Sequence, residues 1–127
     1  MWNVDLSVFL PWDRRGEYPD RPGLYAIARE LPDNLIYVGL TMQSEGLRGR
    51  LRQFHRSATT GRLGHAGGVT YHKQFGPEVA SLLVAVHLPY AINPDPKVMA
   101  PYIKFGERLL IWKHVARHGA MPACNSG

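Results

Sequence analysis

Apolar and polar positions fall into blocks that divide the chain into strands, loops and helices. The clearest block is Gly23–Gly39, GLYAIARELPDNLIYVG. Two runs rich in Leu, Ile, Val and Tyr, Gly23–Arg29 and Leu35–Gly39, flank the polar break ELPDN. Proline and Asp-Asn interrupt a strand, so the pattern predicts a β-hairpin with a loop of about five residues. Each run sets a tyrosine near a glycine: Gly23-Leu24-Tyr25 in the first, Tyr37-Val38-Gly39 in the second. Antiparallel pairing can carry both phenols toward one site, in a register the sequence leaves open. Tyrosines and glycines are also common at strand ends, so the hairpin alone reads equally as plain structure.

Ahead of the hairpin, Trp2, Val4, Leu6, Val8 and Leu10 alternate with Asn3, Asp5, Ser7 and Phe9. Period two predicts a strand that Pro11 ends, although Leu6, Phe9 and Leu10 also fit one helical turn. Trp12–Pro22 is charged, contains Pro19 and Pro22, and reads as a connecting loop. Beyond the polar link Leu40–Gly46, Leu47, Leu51, Phe54 and Ala58 recur at helical spacing and form one apolar face. Arg48, Arg52 and His55 cluster on the opposite side. Arg50 lies at the edge of the apolar face, about 40° from Phe54. Its head either snorkels to water or reaches into a site beside the core. Thr59–Gly68 contains four glycines and reads as loop, either a flexible connector or a set of amides able to cradle a phosphate. His65 and His72 flank its end without a metal-ligand spacing. Ser81–Leu88 is almost continuously apolar, which suits a strand buried on both faces. Pro89–Pro101 carries four prolines and reads as an irregular crossing segment. From about Pro101 to His118 the chain reads as one long helix, with Gly119 at the C-cap position.

Glu107 is the anomaly of that helix. Ile103, Leu110, Ile111 and His114 fall within about 60° of it on the wheel, whereas Lys104, Arg108 and Arg117 lie elsewhere. A carboxylate set in a packed face costs several kcal/mol unless a cation, a hydrogen-bond network or a raised pKa compensates it. A salt bridge to Arg50 and a bound divalent metal both satisfy that need.

Composition narrows the class. The 127 residues suffice for one domain and one core, read as an extension over 1–21 and a core over 22–125. No apolar run approaches the roughly 20 residues that span a bilayer. The N-terminus lacks a positive leader before its apolar part, and the single cysteine, Cys124, excludes an internal disulfide and a cysteine-cluster metal site. A reducing cytoplasm is the default compartment. The net charge of +5 suggests a polyanionic partner.

The motifs taken together resemble the GIY-YIG nuclease superfamily. Gly23-Leu24-Tyr25 and Tyr37-Val38-Gly39 look like the two halves of its signature. Leu47-x-x-Arg50-Leu51 is similar to its arginine-bearing helix motif, Glu107 with Leu109-Leu110-Ile111 resembles the helix of its metal-binding glutamate, and Pro122-Ala123-Cys124-Asn125 resembles its Pro-x-x-Asn ending. The match runs from about Pro22 to Asn125. It implies an α/β fold of the α+β kind, with a small, mainly antiparallel three-stranded sheet flanked by helices and a one-metal site. The chain departs from the family pattern at Phe54, where relatives often carry Tyr or His, and at Leu40, where they often carry Lys. Its links Leu40–Gly46 and Gly61–Ala80 are also longer than in the smallest members.

The resemblance implies a metal-dependent endonuclease that hydrolyses phosphodiester bonds in DNA, with RNA left open as substrate. Glu107 would hold Mg2+ or Mn2+, which stabilises the leaving 3′ oxygen. Arg50 would bind the phosphate through its planar fork. Tyr25 would take a proton from water, Tyr37 would orient the nucleophile or phosphate, and Asn125 would support the site. Since a phenol has a pKa near 10, it needs nearby positive charge to act as a base. Arg48, Arg52 and His55 are candidate nucleic-acid contacts, or simply a solvated face. Two other readings stay open: a nucleic-acid-binding module of the same fold without cleavage, and a basic protein-interaction domain.

Overall fold

The computed structural model describes residues 4–89 and 93–125. The chain forms β1 (Leu10–Pro11), a 3-10 helix (Trp12–Glu17), β2 (Gly23–Arg29), β3 (Leu35–Thr41), α1 (Gly46–Thr60), α2 (Ala66–Phe75), β4 (Leu82–His87) and α3 (Pro96–His118). It is an α+β fold. The sheet has four strands in the order β1-β4-β2-β3, and every pairing is antiparallel.

The expected three-stranded sheet is corrected by β1, whose Leu10 and Pro11 pair with Val84 and Leu83. That two-residue strand is also what the predicted Trp2–Leu10 strand amounts to; Trp2 and Asn3 lie outside the described residues. Period two failed there because Ser7 breaks the ladder. Its backbone N–H donates to the Val86 carbonyl, and its Oγ accepts from the Val86 N–H. Val8 consequently stays in solvent.

The hairpin forms as the pattern predicts, with β3 running two residues further, to Thr41. Tyr25 pairs with Gly39 and Ile27 with Tyr37, so both tyrosines project from the same side of the sheet. On that side α1 and α2 enclose a core of Tyr25, Ile27, Leu47, Leu51, Phe54, Ala58, Tyr71, Val84 and Val86. The apolar stripe of α1 (Leu47, Leu51, Phe54, Ala58) is wholly inaccessible. On the other side α3 packs Met99, Ile103 and Leu110 against Leu24 and Val38. The two buried faces explain why β4 reads as a nearly unbroken apolar run.

Three further expectations are corrected. The segment after Pro11 is a 3-10 helix rather than plain loop, and it buries Trp12 against Phe54 of α1. The glycine-rich stretch Thr59–Gly68 is loop only over residues 61–65, because Thr59 and Thr60 end α1 and Gly67 and Gly68 already belong to α2. Those glycines serve close packing. A Cβ on Gly67 would stand 2.5 Å from the Tyr37 ring, and one on Gly68 would stand 2.7 Å from the Phe54 carbonyl oxygen. Finally, α3 starts at Pro96, five residues before the expected Pro101. Asp95 caps it by accepting from the Lys97 N–H, and Pro96 occupies a first-turn position where a missing N–H costs nothing. Part of the predicted irregular segment, residues 90–92, lies outside the described residues. At the other end Gly119 adopts φ 73° and closes α3 as predicted.

Candidate functional site

Tyr25 and Tyr37 meet over Gly39. Their ring centroids lie 5.9 Å apart. A Cβ on Gly39 would come within 2.5 Å of the Tyr25 hydroxyl and 2.6 Å of the Tyr37 ring. The glycine of the second motif is therefore required where it stands: the two phenols occupy the space a side chain would fill. Tyr25 is fully buried, and Tyr37 keeps part of its surface exposed. Burial is the main reason that both phenols have raised pKa values, Tyr25 well above the usual tyrosine value. The Arg50 charge opposes the shift at both.

Arg50 thus reaches inward rather than snorkelling away. Its guanidinium also donates to Gln53 Oε1 and, at 3.4 Å, to the Gly64 carbonyl, which ties α1 to the loop before α2. It forms no salt bridge with Glu107: among the described residues, the carboxylate has no ion pair. Glu107 is half-buried, and desolvation raises its pKa, with Arg108 opposing. The carboxylate acts on Tyr37, whose pKa its charge raises. So Tyr25, Tyr37 and Arg50 converge tightly, and Glu107 sits within electrostatic reach of Tyr37. Gly106 lets α3 approach: a Cβ there would stand 2.5 Å from Leu24 Cδ1.

Asn125 stands one layer behind. Its Oδ1 accepts from the Val38 N–H at 2.8 Å and its Nδ2 donates to the Val38 carbonyl at 2.9 Å. With the Cys124 N–H donating to Ile36 O, the tail seals the outer edge of β3 where an unpaired strand would otherwise face water. Asn125→Ala removes both side-chain bonds to the residue between Tyr37 and Gly39. Each such bond contributes about 1 kcal/mol net, so a loss of about 1–3 kcal/mol is expected in a denaturant melt.

The basic group expected on α1 is divided. Arg48 is held by Asp20 at 2.6 Å, and Arg52 is exposed. His55 faces the N-terminal segment instead. Trp12 Nε1 donates to its Nδ1 at 3.0 Å, and desolvation together with Arg15 lowers its pKa. A histidine so held is neutral near pH 7 and adds no positive charge toward a phosphate.

The residue to which the sequence pattern gave no role is His65. It is fully buried and sits among Tyr25, Tyr37 and Phe54, with ring centroids 6.1, 5.2 and 5.1 Å away. Its Nε2 lies 2.7 Å from the Tyr25 hydroxyl. It is also the N-cap of α2: its Nδ1 accepts from the Gly68 N–H at 3.2 Å, and its own N–H donates to Ser57 Oγ. Burial and Arg50 depress its pKa to about 3. Histidine is not among the favoured N-cap residues, so no local signal marked it. Only the packing of α2 on α1 brings it here.

Comparison with protein families, with curated proteins and with solved structures returns no match to this chain.

Proposed function

We propose that this protein is a metal-dependent endonuclease of the GIY-YIG type that hydrolyses phosphodiester bonds in DNA. The observation that carries the reading is the meeting of Tyr25 and Tyr37 over Gly39, with the Arg50 charge acting on both phenols and a half-buried carboxylate on Glu107, free of any ion pair among the described residues, whose charge acts on Tyr37. Two phenols tilted against each other within reach of an arginine's charge make a suitable phosphate site.

Whether Glu107 suits a divalent cation can be judged from its surroundings. Its raised pKa and missing ion pair are the condition of a carboxylate short of positive charge. Among the described residues no group of three His, Cys, Asp or Glu side chains stands together. A cation here would complete its shell with water and substrate phosphate, as Mg2+ commonly does. Glu107 therefore fits Mg2+ or Mn2+, and the metal when bound would supply Lewis-acid stabilisation of the phosphate and the leaving oxygen.

The chain's own groups divide the rest. Arg50 presents a fixed positive fork to the phosphate oxygens, whose charge grows in the transition state. The phenol pair takes the proton of the attacking water, after one phenol has lost its own proton to solvent. The new O–P bond then forms as the P–O3′ bond breaks, and the leaving alkoxide takes a proton from solvent. Asn125 holds the strand that carries Tyr37 and Gly39.

Full burial of Tyr25, with Phe54 and Leu40 in place of the family's polar residues, favours a second reading: a nucleic-acid-binding module of this fold that does not cleave. Incubation with supercoiled plasmid, in Mg2+ or Mn2+ and in chelator, separates the two. The nuclease reading expects nicked circles only with metal, and a loss of about 10²-fold or more in Arg50→Ala. Binding without nicking in either metal would sink it.

A further inference from the structure

We infer that His65 is a positioning residue that sets the direction of hydrogen bonding through the two phenols, from the α2 cap through Tyr25 to Tyr37. The direction follows from the cap. A backbone N–H can only donate, so the contact from Gly68 makes His65 Nδ1 an acceptor. In a neutral imidazole one ring nitrogen carries the proton and the other accepts. The proton is therefore on Nε2, the atom 2.7 Å from the Tyr25 oxygen. His65 donates to Tyr25.

Tyr25 must then turn its own proton elsewhere. The charged and titratable groups around its hydroxyl are Tyr37 from β3, Arg50 from α1 and His65 ahead of α2. Arginine has no acceptor atom, and His65 is already the donor. Tyr37 remains. Its ring lies tilted by 37° against that of Tyr25, over a glycine that leaves the hydroxyls room to meet. The chain of donors runs one way: Gly68 N–H to His65, His65 to Tyr25, Tyr25 to Tyr37. Its open end is Tyr37, the phenol that is part-exposed. Resting on the nuclease reading, this makes Tyr37 the phenol that meets the attacking water, with Tyr25 as its buried donor. The third residue of the relay comes from the α2 cap, while the family position on α1 is occupied by Phe54, packed 5.1 Å from the His65 ring.

Two variants divide the roles of the imidazole. His65→Asn keeps an acceptor for the Gly68 N–H, since asparagine is a good N-cap, but is too short to reach Tyr25. His65→Gln extends an amide N–H toward Tyr25 and gives up the cap. In a nicking assay at saturating plasmid, His65→Asn is expected to lose about tenfold to a hundredfold in rate while staying folded. His65→Gln recovers most of that rate despite a lower melting temperature. The reverse order, or a wild-type rate in His65→Asn, would refute the positioning role. Independently, an NMR spectrum correlating imidazole nitrogens with ring protons reads the tautomer in the wild-type protein without substrate. It should report Nε2–H. An Nδ1–H tautomer overturns the inference whatever the protein cleaves, and failure of the wild type to nick with the Nε2–H tautomer present would count against the nuclease reading alone.

Discussion

A protein carrying Glu107→Gln is expected to melt at or slightly above the wild-type temperature while losing the nicking activity proposed for this chain. Desolvation raises the Glu107 pKa in the folded state. With the sign worked through, the folded protein binds this proton more tightly than the unfolded chain, so stability from this group is full below the usual carboxylate pKa. It is lost as pH rises through the raised value. At neutral pH the ionised side chain is a burden on the fold, and a neutral amide relieves it. The half-exposed position keeps that relief small. Had Glu107 been the partner of Arg50, the same change would have left a guanidinium uncompensated and lowered stability by a few kcal/mol; Arg50 is instead held by Gln53 and the Gly64 carbonyl. The activity side is larger. If Glu107 holds a catalytic cation as proposed, its loss should reduce nicking by about 10³-fold, given the several kcal/mol that such a cation supplies. Stabilisation of the protein–DNA complex by Mg2+ should vanish as well, with DNA binding in chelator unchanged. Two measurements check this: thermal melts of both proteins bound to DNA, with and without Mg2+, and a plasmid assay. Wild-type nicking by the variant would remove Glu107 from the mechanism.

The second large effect belongs to Gly39→Ala. A single methyl at this position would lie 2.5 Å from the Tyr25 hydroxyl and 2.6 Å from the Tyr37 ring. Tyr25 is fully enclosed and tied to His65, so it cannot swing away. Tyr37 is the ring that yields, and Gly67 packs against its far side, where a Cβ would already stand 2.5 Å away. Overpacking of this kind typically costs about 1–3 kcal/mol; enclosure on both sides puts this case near the upper end. Because the methyl separates the phenols, nicking should fall with stability, and should not return when the assay is run well below the melting temperature. A denaturant melt and a low-temperature nicking assay report the two losses separately. A variant with wild-type stability and rate would mean the phenols do not occupy the position described.

Tertiary packing reassigned several residues whose local patterns were unambiguous. Gly67 and Gly68 carry the composition of a loop, yet they are helical, and they are glycine because α2 lies too close to α1 and to Tyr37 for a side chain. His55 carries the wheel position of a phosphate contact, yet Trp12, carried in by a 3-10 helix twelve residues into the chain, takes its Nδ1. In both cases the deciding partner is remote in sequence, and local periodicity holds no record of it.

What the sequence by itself determined is the part governed by local rules. The hairpin was legible because strand periodicity and the ELPDN break act over a few residues, and α1 because its buried stripe repeats at helical spacing. β4 was legible as a strand buried on both faces, and the end of α3 at Gly119 followed from the left-handed conformation that glycine tolerates. Glu107 was conspicuous because a carboxylate on an apolar face is costly wherever the helix packs. Only the tertiary structure decided which groups share one place. It paired Tyr25 with Gly39, turned Arg50 toward the phenols without an ion pair to Glu107, and tied Asn125 to Val38 across 87 residues. It also brought a buried histidine to Tyr25 from a segment whose sequence read as a glycine-rich loop. Contacts of that range depend on how helices seat against the sheet. Seating is set by the summed shape of many side chains, which no single stretch of sequence contains.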